Sequence, residues 1–161
     1  MSSSLDVPPL AADTTHAKSP VRQLSVFLHN RVGALLSLVK LLNEHQIEVL
    51  GLSVQDSVDL TLVRLIVTDP QRAEQVFTEA GHSCASKPIV VVELKQGVHD
   101  LGHALSGLLA AEINIHHAYP LMVRPNSGRP LIALHVDDPE VGGESLSKCG
   151  FKVLSQDELT R

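Results

Sequence analysis

The chain has 161 residues and a formal charge of −5, with 43% hydrophobic and 2% aromatic residues. An acidic chain with few rings is a poor partner for nucleic acid, whose phosphates call for a basic surface and whose bases stack on aromatics. Cys84 and Cys149 stand far apart with no CxxC pair, which argues against a metal site or a disulfide framework and fits a reducing, cytoplasmic setting.

The first 20 residues, rich in Ser, Pro, Asp and Thr, read as a disordered tail and lack the pattern of a secretory signal. Val21 to Leu28 alternates, with Leu24, Val26 and Leu28 on one face, as a half-buried strand does. Gly33 to His45 spaces Leu35, Leu38, Val39 and Leu42 as one side of a helix. Two strands follow, Ile47 to Gln55 and Leu60 to Thr68, around the turn Asp56-Ser57-Val58-Asp59. Asp69 is placed to cap a second helix whose first position is Pro70, and Gly81 to end it. A weaker strand, His82 to Lys87, completes the order β-α-β-β-α-β.

The same order runs again from Ile89. Strand IVVVEL, turn KQGVH and helix DLGHALSGLLAAE lead to strands INIHHAYPLMV and RPLIALHV. A helix after Asp138-Pro139 stops near Gly150, and FKVLS is the last strand. Leu28 matches Leu94, Leu35 matches Leu101 and Ile47 matches Ile113, whereas Asp69-Pro70 matches Asp138-Pro139 and Gly81 matches Gly150. The offset changes between the two groups, so the extra residues fall in the second hairpin. This periodicity predicts an α+β chain of two tandem ferredoxin-like βαββαβ units with antiparallel sheets, over residues 21–88 and 89–161. No apolar run approaches the roughly 20 residues of a membrane span.

Strand faces extend the prediction. Val63, Leu65 and Val67 on one face and Leu62 and Ile66 on the other leave the third strand apolar on both faces, as Ile89 to Val92 does for its own, so these strands belong inside a sheet covered on both sides. A split βαβ unit has strand order 4-1-3-2 and helices on one face only. The sister unit, a second chain or both must cover the other, and a homodimer or larger oligomer is expected.

The turn His29-Asn30-Arg31-Val32-Gly33 joins a strand to a helix N-terminus, where free backbone N–H groups receive anions. Asn30 can donate and accept, which suits a zwitterion, and Gly33 leaves room for a close approach. If φ at Gly33 is negative, Gly33→Val should leave the fold intact. The same residues could simply shape the turn.

A βαββαβ unit with Asn-x-x-Gly-Ala-Leu at this turn, here Asn30, Gly33, Ala34 and Leu35, resembles an ACT domain. The resemblance implies binding of a small ligand, mostly an amino acid, and regulation of a metabolic enzyme. The first unit is similar to the regulatory subunit of acetohydroxyacid (acetolactate) synthase of branched-chain amino acid biosynthesis, through Leu24-Ser25-Val26, Leu28, Asn30, Gly33-Ala34-Leu35 and Thr61-Leu62-Val63-Arg64. It implies an amino acid held between two ACT units by the turn of one (Asn30, Arg31, Val32, Gly33, Ala34, Leu35) and the second strand of the other, near Glu48 and Val49. Glu48 departs from the Asn frequent in that family. The tandem layout is the better match to free-standing proteins of two ACT domains. In the second unit His99 stands where Gly33 does, so that turn is structural or takes something different.

His99 and His103 have a metal-compatible spacing, and His116, His117 and His135 lie nearby. Neighbouring positions of a strand point oppositely, however, so no metal or other cofactor is expected. No nucleophile, Walker or dinucleotide motif is present. A binding module is the leading expectation: a self-contained amino-acid sensor, or a subunit docking on acetolactate synthase. A small enzyme on a ferredoxin-like scaffold is the remaining alternative.

Overall fold

Strand β1 (Val21–His29) turns Leu24, Val26 and Leu28 toward helix α1 (Ala34–Glu44), and all three are buried. Strands β2 (Val49–Asp56) and β3 (Leu60–Val67) form the expected hairpin, and helix α2 (Pro70–Glu79) follows. These elements belong to a computed structural model that describes residues 18–160, so the tail expected over residues 1–20 lies outside the described residues as far as position 17. The side chain of Asp69 accepts from Arg72 N at 3.1 Å, and Gly81 beyond the helix end takes φ +83°. Asp138 repeats the cap on helix α4 (Pro139–Lys148), accepting from Val141 N at 3.1 Å. Asp69→Ala is expected to cost about 1 kcal/mol of unfolding free energy with an unchanged urea m-value. No loss in midpoint would show that Pro70 alone starts the helix.

The second unit contains helix α3 (His99–Ala110), strands β5 (Ile115–Pro120) and β6 (Leu131–Val136), α4, strand β7 (Lys152–Leu154) and a short helix α5 (Gln156–Leu159). Sequence patterning did not anticipate α5. It also divided strand β4 (Ser83–Glu93) into two strands at Pro88, whereas the backbone runs through without a break. Residues 83–89 of β4 pair with β1, and residues 90–93 pair with β6, with β7 on the other side. Pro88 has no N–H to donate, and it sits at the changeover between partners, where a missing ladder bond costs least.

The sheet order is β2-β3-β1-β4-β6-β5, with β7 beside β4, so each unit keeps the 4-1-3-2 order and β4 serves both. The sheet curls until its edge strands meet. Gly51 of β2 bridges Leu121, and Met122 N donates to Leu50 O at 2.8 Å. A Cβ at Gly51 would stand 3.4 Å from both Ile66 and Leu121, so the closure uses the smallest residue.

Two outer cores lie under the helices. One contains Leu24, Leu38, Leu42, Val63, Leu65 and Phe77, the other Val90, Val92, Leu108, Leu134 and Leu146. A third core fills the inside of the curl, with Val21, Ile66, Ile89, Val91, Tyr119 and Leu131. Val63, Leu65, Val91 and Leu94 are buried, as two-sided apolar strands require. Each fully buried aliphatic side chain stabilises the fold by about 1.5–3 kcal/mol. The inner face is thus covered by the sister unit of the same chain, and that face does not itself call for a second chain. No helix among the described residues is long and apolar enough to cross a membrane.

Candidate functional site

The β1–α1 turn opens a cleft of about 650 Å³, lined by Asn30 to Leu36 and, from the hairpin opposite, Val54, Asp56 and Thr61. Six of the expected site residues (Asn30, Arg31, Val32, Gly33, Ala34, Leu35) are therefore together. Gly33 is the N-cap of α1 with φ +85°, and no side chain caps the helix. Ala34 N reaches Arg31 O at 3.3 Å and Ser37 N reaches Gly33 O at 2.9 Å. Leu35 and Leu36 N–H have no acceptor among the described residues, so two donors at the positive end of the helix face the cleft. Asn30 is loosely held, its Nδ2 reaching Ser57 O at 3.5 Å. Asp56 is exposed and accepts from Thr61 Oγ1 at 3.2 Å, which puts a carboxylate on the far wall. In the sequence Asp56 reads only as a turn residue, because its distance along the chain from the glycine turn conceals their meeting.

The positive φ removes the condition under which Gly33→Val would leave the fold intact. A Cβ at Gly33 would meet nothing within 4 Å, so conformation, not crowding, calls for glycine.

Glu48 and Val49 do not join the turn. They stand at the start of β2, roughly 20 Å of strand from Asp56. Glu48 N donates to Thr68 Oγ1 and Glu48 O accepts from Thr68 N, and Glu48 lines a separate cavity of about 260 Å³ beside Arg124 and Glu158, while Val49 packs on the outer core. Within one chain, the turn and the second-strand positions form two separate places.

The second unit's turn differs in kind. Asp100 occupies the position that Ala34 has in the first unit, and its Oδ2 accepts from Gln96 N at 2.9 Å. The chain's own carboxylate here ties down the start of the turn, and Leu101 N, the counterpart of the free Leu35 N, donates to Val98 O at 3.3 Å. Gly97 supplies the positive φ there, at +67°.

The histidines also depart from expectation. A register shift between Ile115 and His117 breaks the strict alternation of β5. The rings of His116 and His117, expected to point oppositely, lie 5.0 and 4.6 Å from that of His135. His116 Nε2 meets Asp137 Oδ1 at 2.5 Å. His103, by contrast, packs edge-on against Phe151 at 5.2 Å, away from this group.

A curled sheet of two split-βαβ units, with an open glycine turn before a helix, defines a tandem ferredoxin-like fold. The sequence matches the family described as ACT domain pair over residues 19–161, and the chain belongs to that family. Among solved structures, protein BT0572 from Bacteroides thetaiotaomicron superposes with TM-score 0.80 at 21% identity, covering 89% of this chain and 98% of that one. The regulatory subunit of aspartate kinase from Thermus thermophilus, ligand free, gives 0.58 at 13% identity, over 81% and 93%. Its counterpart from Thermus flavus gives 0.54 at 15%, over 82% and 94%. No curated protein matches the sequence.

Proposed function

We propose that this protein is a non-catalytic amino-acid sensor whose ligand is held at the β1–α1 turn of the first unit. The observation that carries the reading is the contrast between the two turns. The first presents unpaired Leu35 and Leu36 N–H groups to a cleft with Asp56 opposite, whereas in the second Leu101 N–H is taken by Val98 O and Asp100 is spent within the turn on Gln96 N. A free amino acid fits that polarity, its carboxylate on the helix N-terminus and its ammonium toward Asp56. The aspartate kinase regulatory subunits of similar fold support a regulatory role.

The cleft is shallow in one chain and surrounded by exposed apolar side chains: Phe27, Val32, Leu36, Val54, Val58 and Leu60. A second copy of the chain covering this patch would enclose the ligand, and in such a homodimer Glu48 and Val49 of one copy could approach the turn of the other. The same patch supports a second reading, docking on a catalytic enzyme such as acetolactate synthase, in line with the motif residues of the first unit.

A thermal screen of the twenty amino acids separates the two. At a hundredfold excess over Kd, a ligand of the native state adds about 2.7 kcal/mol, which raises Tm by roughly 5–10 °C in a chain of this size. Stabilisation of the isolated protein by at least one amino acid, lost in Asp56→Asn, is the expected outcome. No stabilisation by any of them removes the sensor reading and leaves docking, which co-purification with the catalytic enzyme would then test.

A further inference from the structure

The inside of the curled sheet changes character along its length. Its lower part is apolar, but one layer further along, five strands turn polar side chains inward. Val21, Ile66, Ile89, Ala133 and Tyr119 belong to the inner core. By strand alternation Gln23, Arg64, Lys87, His135 and His117 share their face, on β1, β3, β4, β6 and β5 respectively. Gln23 is buried, and its Oε1 accepts from Tyr119 OH at 2.6 Å and from His117 Nε2 at 3.1 Å.

This layer is positive and largely unneutralised. Arg64 makes one side-chain hydrogen bond, Nη1 to the neutral Gln55 Oε1 at 3.2 Å. Neither Arg64 nor Lys87 has an ion-pair partner among the described residues. Asp137, the carboxylate beside His135, is engaged by His116. His135 Nδ1 is buried with no hydrogen-bond partner. Burial lowers the pKa of His117 to about 4, assisted by Arg64, His135, His116 and Lys87, and that of His135 falls from burial and the same cationic neighbours, opposed by Asp137. Two fixed cations and three imidazoles therefore converge in a chain that is acidic as a whole.

We propose that the layer formed by Arg64, Lys87, His117 and His135, between the two units, is a binding site for a small oxyanion. Arg64 supplies the planar fork that recognises such groups, and Lys87 a flexible point charge. The site is distinct from the β1–α1 turn and does not depend on the amino-acid reading. An anion there favours the imidazolium forms, so binding takes up protons and tightens as pH falls.

The test titrates the full chain with sodium sulfate at fixed ionic strength, with sodium chloride as the matched control, reading the His117 and His135 imidazole resonances by NMR. Sulfate keeps its charge between pH 5 and 8, so the pH trend belongs to the protein. A saturable shift absent in chloride is expected, with affinity rising several-fold from pH 6.5 to 5. Arg64→Gln should weaken binding at least tenfold and Lys87→Gln about threefold. Lys87 is exposed, so its variant keeps the test decisive should Arg64→Gln misfold. A parallel titration with succinate tells whether a carboxylate or a tetrahedral anion is preferred. Shifts no larger than those in chloride, or sulfate affinity unchanged in both variants, overturn the proposal. So does a stoichiometric response to zinc chloride without one to sulfate or succinate, which would make the cluster a metal site.

Discussion

Gly33→Val is expected to abolish amino-acid binding and to lower stability by about 2 kcal/mol, because a β-branched residue at φ +85° is strained wherever its side chain points. The loss of binding alone would therefore prove little. Gly33→Asn is the sharper variant, since asparagine visits the left-handed region readily and the space around a Cβ there is open. The Asn variant should keep its stability to within about 1 kcal/mol while its side chain intrudes on the free Leu35 and Leu36 N–H groups. Calorimetric titration with the stabilising amino acid should then show at least a tenfold loss of affinity. Wild-type affinity in a folded Gly33→Asn protein would make the glycine purely conformational and move the ligand elsewhere.

Phe77→Ala carries the largest expected cost in stability, about 3–5 kcal/mol for emptying a fully buried aromatic site. Phe77 lies on α2 in the first outer core, with His82 edge-on at 6.3 Å. The chain's only tyrosine, Tyr119, reports on the second unit, where it lies in the inner core with its hydroxyl on Gln23 of β1. With no tryptophan present, its fluorescence is clean. Urea unfolding followed by Tyr119 emission and by far-ultraviolet circular dichroism should move to lower denaturant together, as one transition. A Tyr119 signal that stays at the wild-type midpoint while half the helix signal melts would show that the units fold independently.

Local chemistry was the part of this structure legible in the sequence. Asp69-Pro70 and Asp138-Pro139 announced their helices because a cap and a fixed φ act within a few residues. The repeat announced the fold because each unit buries the same faces. What escaped was set across the sheet. The register shift that gathers His116 and His117 beside His135 exists only in the pairing of β5 with β6, and no alternation of residues encodes it. Pro88 reads as a break in sequence, yet lies within a strand because the partner changes there. Helix α5 is four residues long, too short to show a period, and its position rests on Ser155 capping Glu158 N and on Leu159 reaching the inner core. At the site, the glycine turn was legible but Asp56 was not, since the hairpin that carries it meets the turn only after folding.

Strand β4 has a consequence for modularity. A chain built from two copies of one unit invites excision of either copy as a portable cassette. Here no connecting segment exists to be cut: the last strand of one copy is the first strand of the other, continuous over Ser83–Glu93. Ending the chain at Pro88 would strip Leu50 and Ile66 of their cover and leave a greasy, open sheet edge, the kind of surface that recruits other chains. The duplication has thus become irreversible in a physical sense, and a strain applied at one end of the molecule meets a single continuous framework.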